Sequence, residues 1–231
     1  MRIRVGLENK FEGRRSIAWA LDYPGAFSYG VDGSEALMRL PQALIQFSGW
    51  ANRHAGLEWV RLDDFDVRLE ETWETYTIPR GWNPSKGEVE ISSWFRDDWR
   101  PLDAVEVARG LEALRWSRTD LLKIVSDLGA EKLDEQRDGE RWSIRGILAH
   151  IATAEWWYLD RFGLIAPRNE LPKDPYERLN LVRLTLERSL PDLAGVEKVI
   201  GRDGEFWSPR KMLRRALWHE IDHIGHIAHL L

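Results

Sequence analysis

The feature that most constrains this fold is a change in the spacing of apolar residues near residue 100. From Pro101 to Leu231 they recur every three or four positions, which is the pattern of helices with one buried face. The first of these helices is predicted to begin after Asp103 and to end at Gly129, its predicted C-cap. Four helices with one apolar face each bury those faces most simply as a four-helix bundle. Their starts are marked by capping side chains and prolines, at Asp103 with Glu106, Ser143, Asp174 before Pro175, and Ser208 before Pro209.

The first hundred residues show a different pattern, in which apolar and polar residues alternate. Alternation with a period of two predicts strands, here at residues 2–8, 16–23, 26–31 and 65–70. Ser34 is the predicted N-cap of a helix that extends to about His54, and Pro41 should kink or split this helix. The order of elements is therefore βββαβ. Residues 73–99 are predicted to be an irregular linker because they contain Pro79, Gly81, Pro84 and Gly87.

The stretch from Tyr23 to Gly30, Tyr-Pro-Gly-Ala-Phe-Ser-Tyr-Gly, precedes an acidic helix start. The βββαβ order together with this stretch resembles the small HicB-like fold. The resemblance covers about a third of the chain and implies a fold only, since the basic DNA-binding segment often attached to such modules is not visible. The predicted fold class is therefore α+β. A HicB-like βββαβ domain with a linker is predicted at residues 1–97, and the four-helix bundle at residues 98–231.

Composition narrows the chemistry that is open to the chain. The absence of cysteine excludes disulfides, thiolate metal sites and cysteine nucleophiles, and leaves His, Asp and Glu as metal ligands. A formal net charge of -5, with both signs interspersed, argues against nucleic acid as a partner. No apolar run approaches the roughly 20 residues of a membrane span, and the amino terminus lacks an apolar signal segment, so we expect a cytoplasmic protein without membrane contact. The 13 tryptophans either pack cores and interfaces or line a pocket.

Histidines concentrate in the predicted bundle, which contains five of the six in the chain. At about 100° per residue, His219, His223 and His226 share one strip of the last helix, beside its apolar face. Residues four apart on a helix stand about 5 to 6 Å apart at Cβ, so His219 and His223 are able to place two imidazoles on one ion. His150 lies beside the apolar face of the second helix and could supply a third. The alternative is a chance pair of histidines at this spacing.

Two stretches together resemble the DinB / YfiT-like superfamily. They are Trp142 to Glu155, Trp-Ser-Ile-Arg-Gly-Ile-Leu-Ala-His-Ile-Ala-Thr-Ala-Glu, and His219 to Ile227, His-Glu-Ile-Asp-His-Ile-Gly-His-Ile. The resemblance covers roughly residues 98–231. It implies a bundle that binds one divalent metal ion, of the Zn, Ni, Fe or Mn class, through one histidine of the second helix and two of the fourth. The matching residues in this chain are His150, His219 and His223.

Residues around the predicted ligands depart from the family pattern or could support it. Relatives commonly have Gln where this chain has His226, so His226 is a candidate alternative ligand or a partner of one. Glu155 is a further candidate to accept the second ring proton of a ligating imidazole, as are Glu220 and Asp222. For these acidic residues, the alternative is an ordinary salt bridge at the surface.

The resemblance also implies a class of function. Relatives include thiol-dependent transferases and isomerases, so we expect a metal-dependent enzyme that acts on a small molecule, either an S-transferase using a low-molecular-weight thiol or a metal-assisted hydrolase. A homodimer is a further expectation from the resemblance. The alternative hypothesis is a non-catalytic protein that binds a ligand, senses it or dimerises, and that has a vestigial or structural metal site. Metal content and a direct thiol-transfer assay would separate the two.

Overall fold

The computed structural model describes all 231 residues of the chain, which fold into two compact units. The first unit comprises residues 1–101 and 197–211, and the second comprises residues 102–196 and 212–231. None of the helices combines the length and the apolar character needed to cross a membrane. The architecture is mixed, with the strands concentrated in the first unit and most of the helices in the second.

A four-stranded sheet is the centre of the first unit, with the strands in the order β3, β2, β1 and β4. β1 pairs antiparallel with β2 and parallel with β4, and β2 pairs antiparallel with β3. A single helix, α1, connects β3 to β4 and packs on β1, β2 and β3. The βββαβ order predicted from the sequence is confirmed. The elements are β1 at Arg2–Phe11, β2 at Arg15–Ala20, β3 at Phe27–Gly30, α1 at Gly33–Ala55 and β4 at Asp66–Glu74.

The helix α1 differs from its prediction in two respects. Its N-cap is Asp32, whose carboxylate accepts a hydrogen bond from Glu35 N at 2.9 Å, so the predicted cap at Ser34 is wrong. The predicted split at Pro41 does not occur, because α1 continues through the proline. Buried residues on both sides of Pro41 explain this, since Leu40 and Leu44 are fully buried and their packing outweighs the loss of one backbone hydrogen bond.

The segment predicted to be an irregular linker contains a regular hairpin. The strands β5 at Tyr76–Pro79 and β6 at Glu88–Ile91 pair antiparallel, with Tyr76 opposite Ile91. Pro79 is the last residue of β5, and Gly81, Pro84 and Gly87 lie in the connection between the two strands. A second hairpin of the same unit is formed by β7 at Ile200–Arg202 and β8 at Glu205–Trp207. Strands of three or four residues are too short for alternation to reveal in the sequence.

The second unit is built from four long helices and one short one. The long helices are α2 at Ala104–Val125, α4 at Ile144–Arg161, α5 at Pro175–Ser189 and α6 at Pro209–Leu230, and the short helix is α3 at Ala130–Asp134. Residues 209–211 of α6 belong to the first unit. Each long helix buries an apolar stripe, which includes Leu114 and Leu121 of α2, Ile147 and Ile151 of α4, Val182 and Leu186 of α5, and Leu213 and Leu217 of α6.

The capping side chains that the sequence predicts are the ones that begin these helices. Asp103 and Glu106 form the predicted capping box, with bonds of 2.7 Å and 2.9 Å between each carboxylate and the backbone N–H of the other residue. Ser143 caps α4, Asp174 caps α5, and Ser208 Oγ accepts from the third residue of α6. The predicted end of the first helix is wrong, because α2 ends at Val125 and Gly129 is the N-cap of α3.

Candidate metal centre

Three histidines converge in the second unit. His150 comes from the second turn of α4, while His219 and His223 lie one turn apart on α6. Each of them offers a ring nitrogen, and these nitrogens all lie within 4.8 Å of one another. The closest pair is His150 Nε2 and His219 Nε2, which are 3.0 Å apart. The structure therefore brings together the three side chains that the sequence predicts as ligands, from two helices 69 residues apart.

Burial keeps all three imidazoles in the neutral form near pH 7. Burial, with a further effect of Arg141, lowers the pKa of His150. Burial and the neighbouring His223, His150 and Arg215 lower the pKa of His219 well below its usual value. For His223, burial together with His150 and His226 lowers the pKa to about 3. A neutral imidazole has a free lone pair, which is the form that binds a metal ion.

The donor set fits a divalent ion of the transition-metal group. A zinc-type ion lies about 2.0 to 2.1 Å from each ligating nitrogen, so two ligands of one ion are at most about 4.2 Å apart. The 3.0 Å between His150 Nε2 and His219 Nε2 satisfies this limit, whereas the widest separation in the set, up to 4.8 Å, exceeds it, so the nitrogens would move slightly closer together to bind one ion. Nδ1 of His223 is buried and has no hydrogen-bond partner, which is uncommon for a buried polar atom. Three neutral nitrogens suit Zn, Ni, Fe and related ions better than Ca or Mg, which prefer oxygen.

An aromatic side chain holds the imidazole of His150 in place. The indole of Trp142 stacks on this ring, with centroids 4.4 Å apart and an angle of 23° between the planes. The guanidinium of Arg141 in turn lies 4.4 Å from the centroid of the Trp142 ring. The stack restricts rotation of the His150 ring and shields one of its faces from solvent, so the ring is oriented before any ligand arrives.

Comparison with known families agrees with this geometry. Residues 113–227 match the sequence model of the DinB superfamily. The C-terminal part of this chain belongs to the DinB superfamily. Proteins of this kind commonly bind a metal ion. Searches among curated proteins and among solved structures found no significant match. The resemblance of the first hundred residues to the HicB-like fold is not confirmed.

Two other residues predicted to take part in the site make their polar contacts with residues outside the three histidines. His226 is beside the cluster, with its ring centroid 5.9 Å from that of His223, and its Nε2 lies 2.9 Å from Glu140 Oε2. Glu155 is 3% exposed, and its carboxylate binds the guanidinium groups of Arg118 and Arg183. The roles proposed for His226 and Glu155, as alternative ligands or as hydrogen-bond partners of a ligand, stay predictions.

Several groups of the DinB part that the structure brings into or near the site could not be identified from the sequence. Trp142 was part of the recognised stretch, but its stacking partner could not be identified from spacing. Glu140 precedes α4 by only a few residues and reaches His226 on α6, a contact that a pattern within one helix cannot reveal. Arg118 and Arg183 were not among the predicted residues, although each is buried and interrupts or borders the apolar stripe of its own helix.

Proposed function

We propose that the DinB part of this chain binds one divalent metal ion through His150, His219 and His223. The observation that carries the proposal is the convergence of three neutral ring nitrogens, two of them 3.0 Å apart. Ions of the Zn, Ni, Fe or Mn class are the candidates. Three protein ligands leave at least one coordination position open, which is typical of catalytic sites rather than closed structural ones.

The reaction that we propose is a metal-dependent transformation of a small molecule. A bound ion would supply Lewis acidity, which lowers the pKa of a water or thiol that reaches it. An S-transferase would use a low-molecular-weight thiol from solution, because the chain has no cysteine of its own. A metal-assisted hydrolase would use water instead. The chain's own residues provide three neutral ligands, a stacked indole that orients His150 and a largely buried setting.

Metal content is the direct test of the ligand set. Elemental analysis of the purified protein should give about one divalent ion per chain after incubation with the candidate metals and removal of excess. His223→Ala should lose the ion while far-UV circular dichroism stays close to that of the wild type, because α6 buries its apolar stripe independently of this side chain. His229→Ala is the matched control, since His229 is exposed near the end of the same helix, and it should retain the ion.

The outcome of this experiment also distinguishes the metal-dependent enzyme from the non-catalytic protein of the alternative hypothesis. Tight metal binding by His223→Ala, or equal loss of metal in the His229→Ala control, would contradict the ligand set. A wild-type protein that takes up no ion and whose stability is the same with and without metal would favour the non-catalytic hypothesis. Where the ion is present, thiol transfer and hydrolysis are assayed directly, with the low-molecular-weight thiol added or omitted.

Four further proposals concern the setting of this site. We propose a homodimer, a cytoplasmic location, a small-molecule partner rather than nucleic acid or membrane, and a HicB-like module at residues 1–97 before the bundle at residues 98–231. Light scattering during size-exclusion chromatography tests the dimer. The sheet order β3, β2, β1, β4 is the feature by which the first module is compared with HicB-like domains, and a different order in those domains would contradict the proposal.

A further inference from the structure

Four charged side chains meet in the interior of the second unit, one from each long helix. They are Arg118 of α2, Glu155 of α4, Arg183 of α5 and Glu220 of α6, and we call them the buried clamp. Their exposed fractions are 8%, 3%, 3% and 1%. Removing charges from water is costly, and replacing such a group with well-packed apolar residues is often neutral or stabilising. Stability of the fold is therefore a weak reason for this arrangement.

The buried clamp is a closed network in which every carboxylate oxygen accepts a hydrogen bond. Arg183 Nε donates to Glu155 Oε1 at 2.8 Å, and Arg183 Nη2 donates to Glu155 Oε2 at 3.0 Å and to Glu220 Oε1 at 2.9 Å. Arg118 Nη2 donates to Glu155 Oε2 at 2.9 Å, and its Nε donates to Glu220 Oε2 at 2.8 Å. Ser117 Oγ donates to Glu220 Oε1 at 2.6 Å. Both arginines thus join the same two carboxylates.

The two carboxylates lie on the helices that carry the histidines. Glu220 directly follows His219 on α6. Glu155 follows His150 by five residues on α4, which corresponds to about 7.5 Å along the helix axis. The most extensive backbone packing in this unit is between α4 and α5. Between α4 and α6, the arginines of α2 and α5 bridge Glu155 to Glu220 through their guanidinium groups.

The distance between the histidines makes their alignment demanding. His150 Nε2 and His219 Nε2 are 3.0 Å apart, and one ion accepts a separation of at most about 4.2 Å. A displacement of α4 against α6 by about 1 to 3 Å, depending on its direction, would separate the nitrogens beyond this limit. Apolar packing is non-directional, whereas hydrogen bonds between ions have fixed directions and lengths. Directional bonds are therefore the better means of fixing such an alignment.

We propose that the buried clamp sets the position of α4 against α6 and so holds His150 within bonding reach of an ion bound by His219 and His223. The four residues are proposed as positioning residues, because their polar contacts are with one another and with neighbouring groups of the same unit rather than with the imidazole nitrogens. This inference rests on the metal binding proposed above. It predicts that metal affinity depends on the clamp even when the fold does not.

The test replaces the whole clamp with apolar residues of similar size: Arg118→Met, Glu155→Leu, Arg183→Met and Glu220→Leu in one protein. Thermal melting of the metal-free protein should show equal or higher stability, since no unpaired charge remains. Affinity for Zn²⁺, measured by competition with a chromophoric chelator, should fall by roughly 10- to 100-fold, as for other residues that orient metal ligands. The visible absorption of bound Co²⁺ should change as well, because it reports ligand geometry. Unchanged affinity and an unchanged Co²⁺ spectrum in a folded variant would overturn the proposal.

A single substitution with two controls covers the case in which the fourfold variant does not fold. Arg183→Met opens the clamp, and Arg188→Met makes the same change at an exposed position of α5. Leu186→Ala destabilises the same helix through its apolar core and leaves the clamp intact. The proposal predicts weaker Zn²⁺ binding for Arg183→Met alone, measured below the melting temperature of each variant. Equal weakening in Leu186→Ala would show that only general stability matters and would overturn it.

The same measurements distinguish failure of this inference from failure of the proposed function. Wild-type protein that binds no Zn²⁺ or Co²⁺ would overturn the metal-binding proposal, and the role of the clamp with it. Wild-type protein that binds the ions, together with clamp variants that bind them equally well, would overturn the role of the clamp alone.

Discussion

Acidification should destabilise the metal-free second unit through His223. Burial and the neighbouring His150 and His226 lower the pKa of His223 to about 3 in the folded protein, whereas an unfolded chain has the ordinary value of 6.5. Between these two values the unfolded chain binds a proton that the folded protein does not. Stability therefore increases with pH in this window. The contribution of His223 is fully present above pH 6.5 and is lost as the pH falls toward 3.

The magnitude follows from proton linkage. For a group with these two pKa values, the free energy of unfolding falls by about 1.4 kcal/mol between roughly pH 7.5 and pH 5.5. The assay is urea unfolding followed by far-UV circular dichroism at both pH values, with a chelator present to exclude metal. His223→Gln removes the titrating group and keeps a polar side chain of similar size. The loss of stability on acidification should thus be smaller in His223→Gln than in the wild type by about 1.4 kcal/mol.

His229→Gln changes an exposed histidine on the same helix, and its stability should follow that of the wild type at both pH values. His150 and His219 remain in all three proteins and burial is the largest cause of their lowered pKa values, so the difference between wild type and His223→Gln is mainly the contribution of His223. An identical loss of stability in the wild type and in His223→Gln would show that His223 titrates alike in both states. The argument from burial would then be wrong.

Two predictions concern the stability of the two units. Gly6→Ala should lower the melting temperature of the first unit, because a Cβ on Gly6 would lie 2.6 Å from Cζ of the fully buried Phe95 ring. Overpacking of this kind costs about 1 to 3 kcal/mol of stability. An unchanged melting curve would contradict this prediction. Asp103→Ala removes the side chain that caps α2 and should reduce the free energy of unfolding by about 1 kcal/mol in urea, whereas Asp103→Ser, which keeps a capping oxygen, should lose less.

The helices of the second unit could be predicted because their starts depend on contacts within a few residues. Asp103, Ser143 and Asp174 each accept a hydrogen bond from an N–H two or three positions further along the chain. Such bonds depend on local sequence and little else. Gly129 failed as a predicted helix end because it is equally suited to a turn before a new helix, and the short α3 begins directly after it.

Errors in the first unit arose where distant packing decides between local alternatives. Asp32 and Ser34 are both good N-caps, and the sequence offers no local reason to prefer the first. Pro41 disfavours a continuous helix locally, yet the apolar residues around it are buried in the core and keep α1 intact. The hairpin of β5 and β6 has four residues in each strand, so no period could be detected.

The three histidines of the candidate site could be predicted from the sequence, but the residues that contact and orient them could not. The spacing of His219 and His223 places two imidazoles on one face of one helix, which is local information. Their meeting with His150 depends on how α4 lies against α6, and only the resemblance to the DinB superfamily supplied it in advance. The stacking of Trp142 on His150 and the contact of Glu140 with His226 are tertiary contacts with no local signature.

The spacing of residues in α2 nevertheless indicates one member of the buried clamp, because a charged residue interrupts the apolar stripe of this helix. Leu114, Leu121 and Val125 are buried positions on one face of α2, and Arg118 falls between them, four residues after the first and three before the second. A charge at a core position is either an error of the helix assignment or a group with a buried partner of opposite charge.

The other three long helices also have a charged residue at a buried position. The four charged residues together predict one buried cluster. Glu155 and Glu220 lie on the buried stripes of α4 and α6, and Arg183 is buried next to the stripe of α5. Two positive and two negative charges, one from each long helix, balance only if they meet, because an unpaired buried charge would cost more than such a unit tolerates. Charged residues at core positions of several helices therefore constrain how those helices align. In this protein the alignment that satisfies the charges also brings the histidines together.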